Sequence, residues 1–111
     1  MKLNQGDIVS ITLDPTKGRE QKGVRPAVII SSNAFHNSGL VLICPLTTTL
    51  HMFGGDVLVS PNKKNGLKKD SEVLVGHIRS VSQDRVYKKI GSIEYAELVK
   101  IFEGIDLLCN R

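Results

Sequence analysis

Cysteine is scarce: Cys44 sits in an apolar run and Cys109 near the far end of a 111-residue chain. Two such thiols spell out neither a disulfide framework nor a zinc ligand set, and free structural thiols are the simpler reading. Long hydrophobic runs are absent, for no stretch approaches the roughly 20 apolar residues that cross a bilayer. The polar segment 1–7 lacks the apolar region of a signal peptide, so the expected place is the cytoplasm, with no membrane partner. No repeat, low-complexity tract or linker interrupts the chain, and a single domain over residues 1–111 is expected. His36, His51 and His77 lie far apart with no CxxC or HxxxH companion, which leaves metal binding without a ligand pattern. The segment 18–23 opens with the glycine spacing of a phosphate-binding loop, but Val24 and Arg25 follow where Lys and Ser or Thr are required. With no GxSxG elbow either, no nucleotide loop, metal or other cofactor is expected.

What is present is the composition of an ordinary folded domain: 41% hydrophobic and 23% charged residues and a mean hydropathy of −0.05. Fifteen basic residues against eleven acidic ones leave a formal charge of +4, which favours a polyanionic partner. The positive excess is concentrated in 17–25, 63–70 and 79–89, whereas 94–106 is acidic. A basic surface made of loops, opposed by an acidic outer face on a final helix, is the expected arrangement.

In 7–13, Val9, Ile11 and Leu13 alternate with Ser10 and Thr12, the period of a half-buried strand. The stretch DPTKGREQKGVRP that follows is too charged and too broken by Pro and Gly to pack, so an exposed loop through Pro26 is expected. Residues 27–30 form a β-branched run suited to burial on both faces, and 31–39 reads as a turn or short helical excursion. A second buried strand at 40–46 contains Pro45, where the ladder should break or turn outward. A short strand is expected at 56–60 and a loop at PNKKNGLKKD. One long strand at 72–81 would place Val73, Val75, His77, Arg79 and Val81 on one face. After a hairpin-like stretch at 85–93, Leu98, Ile101, Phe102, Ile105 and Leu108 recur at helical spacing, with Ser92 as candidate cap. The predicted fold class is mainly β with α (α+β): a small, partly closed β barrel with a C-terminal amphipathic helix.

Arg25 leaves the loop beside Pro26, and Thr47, Thr48 and Thr49 cluster at a strand exit. A guanidinium offers a forked donor to phosphate oxygens, and a hydroxyl adds a neutral hydrogen bond to the same group. Together they can hold a phosphodiester. The plainer alternative is a surface arginine paired with Glu20 and threonines that satisfy turn backbone.

The segments GDIVSITLDPTKGREQKGVRPAVIIS, CPLTTT, GLKKDSEVL, HIRSV and KKIG, in that order, resemble the MazF/PemK family of toxin endoribonucleases. The resemblance covers Gly6 to about Gly91 and implies an SH3-like, partly closed barrel that forms a homodimer. It further implies metal-independent cleavage of single-stranded RNA at short sequences, and neutralisation by a cognate antitoxin through an acidic, partly disordered segment. Arg25 matches the arginine of the family's RP motif and Thr47 the threonine that ends its PLT motif, which makes them the implied catalytic pair. Glu20 and Gln21 match the EQ of the substrate loop, with Glu20 the candidate general base and Gln21 an RNA contact. Lys17 and Arg19 on the same loop, Thr48, His77 and Arg79 complete the expected RNA-binding set. Where many members carry an acidic residue followed by Gln, this chain has Gly76 and His77, so a role for that carboxylate does not transfer. The implied chemistry is attack of a ribose 2′-OH on its own 3′-phosphate, leaving a 2′,3′-cyclic phosphate and a 5′-OH. A non-catalytic nucleic-acid module or topoisomerase-binding toxin of related fold is the competing reading, because fold alone does not separate them.

Overall fold

Alternating and β-branched segments form strands wherever a neighbouring strand can take up their backbone groups. In the computed structural model, which describes residues 1–12 and 24–110, β1 spans Asp7–Thr12, β2 Val24–Ile29, β3 Leu40–Thr47 and β4 Val57–Val59. They are followed by β5 Ser71–Val73, β6 Arg79–Ser82, β7 Val86–Ser92 and the helix α1 Tyr95–Cys109. Every pairing is antiparallel, in the order β4-β5-β3-β2-β1-β7 with β6 also beside β3. Among the described residues β6 and β7 pair with β3 and β1 but not with each other, so the barrel stays open.

Several local expectations change once partners are present. The loop expected through Pro26 ends earlier, because Val24, Arg25 and Pro26 pair with Thr12, Ile11 and Ser10 of β1. β1 itself is buried on both faces rather than one: Ile8 points into one apolar cluster while Val9 and Ile11 enter the other. The excursion after β2 is a 3₁₀ turn, Asn33–Ser38. Residues 85–93 are no hairpin but mainly the strand β7, laid along β1. The helix is capped at Glu94 instead of Ser92, and the Glu97 carboxylate accepts the Glu94 N–H at 2.9 Å. Ser92 ends β7.

β3 organises the sheet. On one side the pairing with β2 ends at Pro45, opposite Ala27. On the other, β3 changes partner: residues 40–43 pair with β6, whereas Leu46 and Thr47 pair with β5. Pro45 sits at the change-over, where its carbonyl accepts the Leu74 N–H at 2.8 Å and its missing N–H interrupts no ladder. The same change-over cuts the expected strand at 72–81 into β5, a 3₁₀ turn Val75–His77 and β6.

Two apolar layers flank the central strands. Ile8, Val28, Cys44, Val73 and Ile30 pack with Leu98 and Ile101 of α1, while Val9, Ile29, Ile43 and Val81 form the second layer. Each fully buried aliphatic side chain contributes on the order of 1.5–3 kcal/mol. Phe102 and Leu108, expected on the buried stripe of α1, remain exposed; the stripe runs through Leu98, Ile101 and Gly104. At Gly104 the helix rests on the Gly55 carbonyl so closely that a Cβ would overlap it.

Candidate active site

Arg25 stands on β2 opposite Ile11 of β1, and Thr47 is the last residue of β3. Both line a cleft of about 310 Å³, together with Pro26, Pro45, Leu74, His77 and Arg79. His77 reaches it from the end of the 3₁₀ turn and Arg79 from the first position of β6. The period-2 reading that placed His77 and Arg79 on one strand face therefore fails in detail, although both side chains reach one hollow. Thr48 is exposed next to the cleft and does not line it.

The Thr47 hydroxyl oxygen accepts the Thr49 N–H at 3.1 Å, which braces the strand exit. A hydroxyl has one proton to donate, and among the described residues none accepts it from Thr47. The plainer reading of the threonine as a turn brace and the functional one are thus compatible. No carboxylate among the described residues pairs with Arg25 or Arg79. The proposed partner Glu20, with Lys17, Arg19 and Gln21, lies outside the described residues.

Arg25 and Pro26 also line a second hollow of about 510 Å³, bounded by Lys68 on the loop after β4 and by Lys88 and Lys89 on β7. The two hollows meet at Arg25, and among the described residues no carboxylate lines either. Lys89 is held at 3.1 Å from Asp7, so among the described residues Lys68, Lys88 and Arg25 carry the charge least compensated by a neighbour. The loop that presents Lys68 is built rather than slack: buried Asn65 accepts the N–H groups of Asn62 and Leu67 and donates to the Ser60 carbonyl at 2.8 Å. The sequence pointed to the basic segments 63–70 and 79–89 but not to Lys68 and Lys88 as a matched pair, because they meet only across β7.

A pair of carboxyl groups behind the cleft escaped sequence reasoning. Glu72 is 0% exposed, and its carboxylate accepts the N–H groups of His51 at 2.6 Å, Met52 at 2.9 Å and Phe53 at 3.4 Å. The polar contact with the Asp56 carboxyl, ahead of these backbone donors, holds Glu72 down to about 2 despite its burial. Asp56 is pushed up, first by burial and then by that contact with Glu72. Burial and the nearby Asp56 push the Cys44 thiol up to about 12, which keeps it protonated and inert. The legible signal was a charged residue inside the apolar run SEVLV.

The other histidines have separate structural work. His36 is bonded to the Ser31 hydroxyl at 2.7 Å and the Leu3 carbonyl at 3.1 Å, and His51 stacks on Phe53 with centroids 5.1 Å apart. Among the described residues no group of three His, Cys, Asp or Glu is placed to hold a metal, and no helix is long and apolar enough to cross a membrane.

Residues 4–109 match the family model of the PemK-like, MazF-like toxin of type II toxin-antitoxin systems. The chain belongs to this toxin family. Endoribonuclease toxin MazF of Escherichia coli (strain K12) is 33% identical over 107 residues, covering 95% of this chain and 92% of the relative. Endoribonuclease EndoA of Bacillus subtilis (strain 168) is 26% identical over 109 residues, covering 96% and 94%. A crystal structure of MazF from Deinococcus radiodurans superposes with a TM-score of 0.79 at 25% identity, covering 100% of this chain and 99% of that one. A MazE-MazF complex from the same organism shares the fold with a TM-score of 0.77 at 22% identity, covering 100% and 99%. The open antiparallel sheet with its C-terminal helix is therefore the family's fold.

Proposed function

We propose that the chain is the endoribonuclease toxin of a toxin-antitoxin pair and cleaves single-stranded RNA in the cleft shared by Arg25 and Thr47. The observation that carries this reading is their meeting: two residues 22 positions apart on different strands bring a forked cation and a free hydroxyl proton to one hollow. Relatives named as endoribonucleases support it. In the proposed reaction the 2′-OH of one ribose attacks its own 3′-phosphorus. The O5′ leaves, giving a 2′,3′-cyclic phosphate and a 5′-OH. Charge gathers on the nonbridging oxygens, and preorganised donors stabilise it most when water is excluded. A guanidinium stays charged at pH 7 and is a poor proton shuttle, so Arg25 acts as the electrostatic clamp. Thr47 donates to the same phosphoryl group, and Glu20 is the candidate base for the 2′-OH.

His77 and Arg79 are assigned to bases or phosphates at the cleft, and Thr48, Lys17, Arg19 and Gln21 to its approaches. The hollow with Lys68 and Lys88 continues the path for the strand's flanking phosphates, as charge-assisted contacts to the backbone position a chain without reading it. The attacking group belongs to the substrate and the clamp is a side chain, so the chemistry runs without a metal. An acidic antitoxin segment that folds on contact would compete for the same cationic surface; MazE-MazF complexes among the structural relatives favour such a partner. The cytoplasm, where RNA and antitoxin are met, is the proposed place of action, and a homodimer the proposed assembly.

The test is incubation of purified protein with mixed-sequence RNA in excess EDTA, followed by analysis of the ends. Fragments with cyclic-phosphate and 5′-OH ends are expected. Activity that disappears with EDTA and returns with Mg²⁺ would refute the mechanism, and RNA binding without cleavage would favour the non-catalytic or topoisomerase-directed reading.

A further inference from the structure

Buried Glu72 and half-buried Asp56 are tied to the two sides of the cleft through neighbouring backbone. Glu72 lies opposite Thr47 in the β3–β5 register, and its carboxylate gathers the backbone of 51–53 just after the threonine cluster. Asp56 Oδ1 accepts the Val75 N–H at 3.0 Å, which fastens the turn that ends in His77. Its other oxygen, Oδ2, is buried and meets no donor among the described residues. Leu58 of β4 pairs with Glu72, which sets Asp56, two residues before Leu58, beside Glu72, and a proton between the two carboxyl groups would satisfy Oδ2.

We propose that Asp56 and Glu72 share a single proton and act as positioning residues, Glu72 for Thr47 and Asp56 for His77. This rests on the cleft being the RNA-cleaving site. Protonated Asp56 donates from Oδ2 to the Glu72 carboxylate while Oδ1 keeps the Val75 N–H. When Asp56 gives its proton to solvent, two anions lie beside each other. One carboxylate must then move, and either the 51–53 loop or the Val75 turn loses its anchor.

The surroundings fix the direction of the pH effect. Cys44 on β3 is a neutral thiol, Glu72 on β5 opposes ionisation of Asp56, and His77 on the turn favours it when charged. From α1, Lys100 and Glu103 border the hollow beside Asp56 with opposite charges. Burial and Glu72 outweigh the rest, and Asp56 is raised. A raised acid stabilises the fold fully below its unfolded value and ceases to do so as pH rises through the folded one. For Glu72, held at about 2, the stabilisation is present above its unfolded value and is lost as pH falls through about 2. Between the two lies the singly protonated, well-positioned pair.

The experiment compares wild type, Asp56→Asn and Asp56→Ala by kcat and KM against pH and by thermal melting against pH without RNA. The asparagine amide can keep both bonds, donating to Glu72 and accepting from Val75, but cannot titrate. Wild-type kcat and melting temperature are expected to fall together as pH rises through the Asp56 value, and Asp56→Asn to lack that fall. Asp56→Ala should lower kcat on the order of tenfold with KM little changed, as expected when placement rather than binding is lost. An alkaline decline that is identical in wild type and Asp56→Asn overturns the proposal, as does identical melting. Melting requires no substrate, so loss of the shared proton is distinguishable from loss of the RNA-cleavage reading.

Discussion

At the scale of the residue, the proposed reaction would separate donors that act on the reacting phosphate from cations that only hold the strand. Arg25 and Thr47 share the cleft, and loss of either is expected to lower the single-turnover cleavage rate by on the order of 10², the scale for one missing transition-state donor. The RNA sites cut by the residual activity and the melting temperature should stay as in wild type; near-normal rates for one variant would remove that residue from the catalytic pair. His77→Ala should cost less, because an imidazole at the cleft edge contacts rather than clamps. Lys88→Ala belongs to the other class. It should weaken binding of an RNA lacking the scissile 2′-OH and reduce the salt slope of that binding by about one, with bound-state cleavage nearly unchanged.

At the scale of the element, packing overrules propensity where α1 crosses the loop before β4. Helix propensity alone predicts that Gly104→Ala stabilises α1 by about 1 kcal/mol. The contact predicts the opposite, because the added Cβ would meet the Gly55 carbonyl, a backbone atom that cannot step aside. Denaturant unfolding should give a lower midpoint for Gly104→Ala, and a raised one would mean that the helix can lift without cost. Ile101→Ala, at a position with 0% exposure, should lose about 2–5 kcal/mol. The strand at 72–81 makes the same point about context. Its alternation is real, yet β3 offers two partners instead of one, and the segment breaks where the partner changes.

At the scale of the whole molecule, apolar side chains remain outside both cores. Leu50, Met52 and Phe53 leave the strand exit exposed, and Phe102, Leu107 and Leu108 do so on α1. Gly55 against Gly104 brings the loop that follows Phe53 onto the helix. Burial of this surface in a two-fold interface is the simplest outcome for a chain this small. Light scattering at micromolar concentration should report twice the chain mass; a monomer mass alone would count against the homodimer and leave each cleft to act by itself.

Residue patterns alone determined the strand-rich class, the C-terminal helix and the double burial of 27–30, and they singled out Arg25 and Thr47 as candidates to hold a phosphate. Those features depend on local period, on side-chain chemistry and on short motifs, all of which are present before the chain folds. Only the tertiary structure decided the rest. Lys68 and Lys88 become one groove because β7 lies along β1. Ser92 lost the helix cap to Glu94 because β7 runs on to Ser92. Glu72 reads as an intruder in an apolar run until 51–53 turns its N–H groups inward and Asp56 arrives beside it. A strand can name the residues it will bury, but which donor meets a buried carboxylate depends on long-range partners, and those exist only when the sheet has formed.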